Sequence, residues 1–453
     1  MDKNKNLQLL SEAPVSKALL KLGIPTMVGM MVSALYNLVD AYFVGTLGTS
    51  QQAAVAAVFP VSLVMLGIGL LFGCGAGSYL SRLLGDGQQQ KADECASTAV
   101  GLSVVTAVIL VGIMLISINP LLRLLGCTDT MLPYAHEYAI PFILGLVINV
   151  FNATMSNLAT SEGAPVYAMR SMLLGGVANI ILDPLLIITF QMGVFGAALA
   201  TLIARLLSFA TYVLFLLQKK SSIHFSIHNI RPGKILLMEI AKIGIPTCIY
   251  QILCSAALSI MNNLAKPYGD AAIAAVGIVS RIITLGTMAV MGFMKGYQTF
   301  VGFNFGAKAY GRVRSATTAA LLWSTGFCAV YCAGVILFRV PLIYAFNAHD
   351  PDVLSIGTKA LIYSGIAFLT VGFQIVYSTK FMGLGKGLEG GFISLGRQGF
   401  FFVPAIYVLT AVWGLNGLII AQPAADILSM ALVFFFAEKN LKEENCMIAA
   451  NVA

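Results

Sequence analysis

Charge is scarce in this chain. Asp, Glu, Lys and Arg together make up 10% of its 453 residues, while 58% are hydrophobic; soluble domains carry about a quarter charged residues. A water-soluble fold could not hide that much apolar surface, so lipid must solvate most of the chain. Histidine is scarcer still. His136, His224, His228 and His349 all fall in or near polar connections, and no apolar stretch gathers a nucleophile with a base or a set of metal ligands. An enzyme reading finds no residues to build on, and no cofactor is expected beyond a coupling ion. The eight cysteines show no metal spacing; Cys74, Cys248, Cys254, Cys328 and Cys332 lie in apolar runs, which argues against a disulfide framework. Cys328 and Cys332, four apart on one helix face, read as packing. A cleavable signal peptide is not expected either, because the start is polar and the first apolar run is too long and lacks a cleavage site.

What the chain does have is long apolar sequence. Residues 15–41, 53–80, 95–118, 139–160, 167–190 and 193–217 form six runs, and 240–265, 271–297, 316–338, 353–381, 392–412 and 414–437 form six more. Each reaches the roughly 20 residues that cross the hydrocarbon layer as a helix. None alternates like a barrel strand, and only helices otherwise satisfy their own backbone in lipid. The expected fold is an all-α integral membrane protein with twelve transmembrane helices, taken in order as spans one to twelve. The net charge of +8 does not imply nucleic acid. Its cations gather on the connections that share a side with the termini, among them Lys17, Lys91, Lys242, Lys308, Lys380 and Arg397, whereas the other side keeps Arg123, Lys266, Arg339 and Lys359. That asymmetry predicts a multi-pass plasma-membrane protein with both termini cytoplasmic.

The chain also repeats itself. Lys21-Leu22-Gly23-Ile24-Pro25-Thr26 recurs as Lys242-Ile243-Gly244-Ile245-Pro246-Thr247, an offset of 242 − 21 = 221. The same offset carries Gly48 onto Gly269, Gly85 onto Gly306, and Gly193 and Gly196 onto Gly414 and Gly417. Residues 1–218 and 239–453 therefore read as two pseudo-twofold lobes of six spans each, joined by a polar linker, 219–238, that contains Lys219-Lys220 and Arg231-Pro232-Gly233. With six spans per lobe the repeat is parallel. Such repeats place substrate between the lobes and transport it by rocking them. The 44 glycines suit closely packed helices. A monomer is expected.

An ionisable side chain in mid-membrane costs about 2.5–3.5 kcal/mol on insertion scales, so each is a functional candidate. The intramembrane acids are Asp40, Asp183 and Asp426. Asp40 lies in the part of span one away from the termini, and Asp183 at the same depth in span five. Asn179 shares the helix face of Asp183, and Thr201 of span six reaches a similar level. Two carboxylates, an amide and a hydroxyl suit Na⁺; alternatively, two neighbouring carboxylates do not both ionise easily and can share a proton. Pro184 frees a carbonyl beside Asp183 and predicts a local bend. Taken singly, Asp40 could cap a neighbouring helix and Asp183 could satisfy freed backbone, but matched depth favours a shared site. The repeat carries Asp40 onto Met261 and Asp183 onto Pro404 (40 + 221 = 261, 183 + 221 = 404), so the second lobe does not copy the acids. The intramembrane bases are Arg205, Arg281 and Lys295; Lys295 is expected to snorkel toward the termini side. Arg205 and Asp426 occupy equivalent repeat positions and are expected to bond locally.

In these residues the chain resembles the multidrug and toxic compound extrusion (MATE) transporters. The resemblance spans nearly the whole chain and rests on the doubled Gly-Ile-Pro motif, Asp40, Ser161-Glu162-Gly163, Asn179 to Pro184, and the Gly-containing loops after spans two and eight. It implies two six-helix lobes that export drugs in exchange for Na⁺ or H⁺. It implies a cation site at Asp40, Asn179, Asp183 and Thr201, with Tyr36, Asn157 and Pro184 in its supporting network. Met27, Met31, Gln251, Met261 and Arg281 are expected along a central cavity that takes amphipathic organic cations. Span seven carries Gln251 and no carboxylate, and span ten carries none, which places the chain nearer the DinF- or MepA-type branches than the NorM type. A lipid-linked precursor flippase of the same superfamily is the alternative, and would favour Arg281 and Lys295 facing a cationic cavity.

Overall fold

The computed structural model describes residues 2–218, 220–346 and 350–452; Lys219 and His349 lie outside the described residues. Among these, twelve helices are long and apolar enough to cross a membrane. They are spans one to six, Val15–Gly45, Ser50–Gly85, Gln89–Ile116, Leu132–Ser161, Pro165–Thr189 and Gly193–Leu217, and spans seven to twelve, Lys234–Tyr268, Ala271–Gly306, Tyr310–Leu337, Pro351–Gly383, Gly387–Trp413 and Leu415–Cys446. Most run longer than the apolar stretches, because hydropathy marks only the part of a helix that lipid covers, whereas polar ends continue the same backbone ladder. Three short helices, Asp2–Ser11, Ile118–Leu124 and Arg339–Phe346, carry too little apolar sequence to register as spans.

The repeat is visible in the backbone. Helices Gln89–Ile116 and Tyr310–Leu337 each have 28 residues, and Thr49–Gly85 and Asp270–Gly306 each have 37. The latter pair start from Gly48 and Gly269, with φ of 126° and 88°, a backbone conformation that a side chain would strain.

The two halves share a core at the end of the molecule that carries the termini. There Leu19 and Leu22 of span one and Leu80 of span two pack with Tyr297 and Phe300 of span eight and Val313 of span nine. At the opposite end the cores separate. One holds first-half residues such as Val58, Phe142 and Val194; two others hold only second-half residues, such as Ile278 with Val335 and Ala257 with Phe402. Glycine lets the helices approach where the halves meet: a Cβ on Gly75 would fall 2.3 Å from the Ile240 carbonyl oxygen, and one on Gly244 2.1 Å from that of Leu71. Polar bonds join the same end. Arg82 of span two pairs with Glu239 of span seven at 2.8 Å, and Ser78 donates to the Met382 carbonyl. The leading helix Asp2–Ser11 is held here too. Leu10 is fully buried, and Arg312 donates to the carbonyls of Leu10 (3.2 Å) and Ala13 (2.8 Å).

The linker is not a loose tether. Ser221 and the Ser222 amide donate to Glu162 at 2.8 and 2.7 Å, and the His224 amide donates to Asp93 at 3.0 Å. The Arg231 amide donates to Thr98 at 2.9 Å, and its guanidinium pairs with Glu94 at 3.2 Å. Every one of these partners belongs to the first half.

Candidate functional site

Pro184 shapes the last part of span five. It offers no N–H and crowds the carbonyl one turn back. The α-helix accordingly ends at Pro184 and a π-helical turn, Leu185–Thr189, follows; such wider turns concentrate at functional sites. Asp183 sits at this junction with no exposed surface, and Asn179 is equally deep. The Asn179 amide donates to Asp183 Oδ1 at 3.1 Å. Asp40 arrives from span one, and its carboxyl comes within hydrogen-bond reach of Asp183.

Two carboxylates can bond each other only through a proton or a cation. Asp183 Oδ2 and Asn179 Oδ1 are buried acceptors with no protein partner among the described residues. Each such group costs about 1–3 kcal/mol. The unpartnered atoms are all hard oxygen donors, the kind that suits a hard cation. A proton or Na⁺ would fit here, held by Asp40, Asp183 and Asn179.

Span six supplies a nearby base. Arg205 interacts electrostatically with Asp40, Tyr36 and Tyr138. Its guanidinium donates to the Phe142 carbonyl at 3.3 Å and stacks over the Phe142 ring at 4.6 Å. Among the described residues no Lys or Arg nitrogen comes within 4.0 Å of either acid. Thr201 lies one turn from Arg205 on the same face, and makes no hydrogen bond to either acid among the described residues. Tyr36 is brought to the site: it packs on span five, where a Cβ on Gly176 would lie 3.3 Å from its ring. Sequence reasoning missed Tyr138 and Asn152 of span four. Asn152 donates to the Arg205 carbonyl at 3.0 Å and leaves its own oxygen unpartnered; an amide in mid-span was the available signal.

Other expected residues lie elsewhere. Asn157 does not join the acids. It sits near the end of span four, bonded to the Ala153 carbonyl and to Cys74, and with Gly73, Cys74, Lys295, Gln298 and Thr299 it lines a small polar pocket where spans two, four and eight meet. Lys295 therefore faces this interior pocket instead of snorkelling, because the join between the halves surrounds that face of span eight. Of the expected cavity residues, Met31 and Arg281 are exposed and Gln251 is half-buried. Met27 lies in the closed join, where a Cβ on Gly292 would fall 2.6 Å from its Cα, and Met261 packs on a second-half core.

The second half holds a charged centre of its own. Arg397 was counted with the termini-side cations, yet it is only 8% exposed. It lies in a π-helical turn of span eleven, Gly396–Phe400, and its Nε donates to Asp426 Oδ1 of span twelve at 2.7 Å. Gln422 donates to the same oxygen at 3.1 Å, and Gln374 to the Asp426 carbonyl at 2.7 Å. Lys380 is likewise fully buried and pairs with Glu444 at 2.8 Å. Lys380 does lie in the last turn of span ten, but the burial of both bases was not foreseen, because nearness to a loop in sequence says nothing of an acid waiting on a distant helix.

The MatE family model matches residues 25–185 and 246–408, one block in each half. The multidrug export protein MepA of Staphylococcus saprophyticus is 27% identical over 442 residues, covering 96% of this chain and 97% of that protein. MepA of Staphylococcus aureus strain MSSA476 is 28% identical over the same shares. A MATE solved in complex with MaL6 superposes with a TM-score of 0.93 at 26% identity, over 97% of this chain and 99% of that one. A multidrug resistance MATE family transporter in an outward-facing conformation gives 0.92 at 27% identity over the same shares.

Proposed function

We propose, because this chain belongs to the MatE family of multi-pass membrane transporters, that it exports amphipathic organic cations in exchange for Na⁺ or H⁺ taken up between Asp40 and Asp183. The observation that carries this reading is the approach of two carboxyl groups, a half-buried one on span one and a fully buried one on span five, with no base within 4.0 Å among the described residues and with unpartnered oxygens beside them. A mobile cation relieves that arrangement. Asn179 orients Asp183, Tyr36 packs span one against span five, and Thr201 offers a further oxygen at the same depth.

The separated cores describe the other half of the cycle. With both termini cytoplasmic, as the charge asymmetry favours, the shared core closes the cytoplasmic end and the space between the halves opens outward. A cation arriving from outside holds Asp40 and Asp183 together against their repulsion and so fixes span one against span five. Span one also packs against span eight at the join, so this movement reaches the surface that substrate occupies. Cation and drug then drive exchange only through their different affinities for the two states. The protein acts as a monomer in the plasma membrane and needs no other cofactor.

The test is efflux of a cationic dye from proteoliposomes with Na⁺ and pH gradients imposed separately. One gradient is expected to drive efflux, and Asp40→Asn and Asp183→Asn are each expected to abolish that dependence. Gradient-driven efflux that survives both substitutions would refute the cation site. Movement of an anionic amphiphile, and of no cation, would transfer the substrate claim to a lipid-linked precursor.

A further inference from the structure

The repeat relates the two charged centres and reverses their signs. Arg205 and Asp426 occupy one equivalent position (205 + 221 = 426). Spans five and eleven, also equivalent, both break into five-residue π turns, although the breaks are out of register by ten residues (185 + 221 = 406, against 396). In the first half the acid lies at the break on span five and the base on span six. In the second half the base lies in the break on span eleven and the acid on span twelve. The charges balance differently. Asp40, Asp183 and Arg205 sum to −2 + 1 = −1, whereas Arg397 and Asp426 sum to +1 − 1 = 0.

Their bonding differs in the same sense. The first-half acids leave Asp183 Oδ2 without a partner, and Arg205 is turned onto Phe142. No oxygen of Asp426 is among the unpartnered buried atoms; its carboxylate is held directly by Arg397 and Gln422. A guanidinium never gives up its proton in a protein, and this one is fixed to the backbone of span eleven. In this conformation it neutralises Asp426, and its charge opposes binding of a second cation there.

We propose that Arg397 is a fixed internal cation, standing in the second half where a transported cation stands in the first, so that coupling runs through the first half alone. This rests on the cation-exchange reading above. The rest of the second half agrees with it, since the positions of Asp40 and Asp183 are filled there by Met261 and Pro404.

The experiment counts cations exchanged per dye molecule by full-length protein in proteoliposomes, from the ion gradient at which net dye flux reverses. Arg397→Lys keeps the tethered charge and is expected to match the unaltered protein. Arg397→Gln is expected to exchange one cation more, and that added cation should survive Asp40→Asn. An unchanged count in Arg397→Gln overturns the proposal. Recovery of folded protein guards the result. If Arg397→Gln is recovered only with Na⁺ or acid present, a mobile cation has replaced the guanidinium and the proposal stands. If it is recovered under no condition while Arg397→Gln with Asp426→Asn is, no mobile cation reaches Asp426 and the proposal fails. The first-half reading is judged separately: it fails if Asp40→Asn alone leaves the count unchanged, and the comparison of Arg397→Gln with the unaltered protein still decides the role of Arg397.

Discussion

Gly85 and Gly306 close reciprocally across the join between the halves: a Cβ on Gly85 would lie 1.9 Å from the Phe303 carbonyl oxygen, and one on Gly306 2.1 Å from that of Arg82. The two contacts map onto each other through the repeat (85 + 221 = 306, 82 + 221 = 303). A local twofold axis therefore passes between the ends of spans two and eight, and the surface there has no room for a methyl group.

Gly306→Ala is expected to wedge this end apart. Overpacking of a tight contact costs about 1–3 kcal/mol, and 1–2 kcal/mol changes a two-state ratio by roughly 5–30-fold. In a single-cysteine background that keeps Cys74, a membrane-impermeant thiol reagent applied from the termini side should label the variant several-fold faster. Equal labelling would mean that the join does not govern access.

Arg82→Gln should open the same end more mildly. Its pair with Glu239 is partly exposed, with side-chain exposures of 18% and 17%, so about 1 kcal/mol is at stake. The charge exchange Arg82→Glu with Glu239→Arg should restore slow Cys74 labelling. If it does not, the pair is incidental to closure.

Asp40→Asn should flatten the response of stability to pH. In Na⁺-free buffer the two first-half acids repel only when both are ionised, so the unaltered protein should lose stability as pH rises and regain it as pH falls. The variant is neutral at that position at every pH, so its melting temperature in detergent should exceed that of the unaltered protein only on the alkaline side. A parallel pH dependence in both proteins would show that the two groups do not interact.

The sequence made the spans and the repeat legible, because apolar length and glycine spacing are local properties that survive in the fold. The meeting of Asp40 with Asp183 could also be read, from matching depth in two helices. Arg397 and Lys380 could not. Their partners, Asp426 and Glu444, stand on other spans, and a base near a connection looks alike whether water or a buried carboxylate receives it. Asn157 failed for the opposite reason: its depth already set it apart from the acids, and the resemblance alone drew it in.

Arg312→Ala should release the leading helix. The side chain holds two carbonyls at the end of that helix, and losing hydrogen bonds to a charged donor costs about 1.5–3 kcal/mol. Hydrogen exchange over residues 2–13 should quicken by an order of magnitude or more, while exchange within span six stays unchanged. Unaltered exchange over residues 2–13 would assign their order to the burial of Leu10.

The attachment of the linker limits how far the transporter can travel. Bonded to the first half as far as Arg231, it leaves only Pro232 and Gly233 before span seven begins at Lys234. Two residues reach at most about 7 Å when fully extended. A wide swing of one bundle about the other is thus ruled out near this strap, and any large displacement must grow with distance from it, as at the free edge of a hinged door.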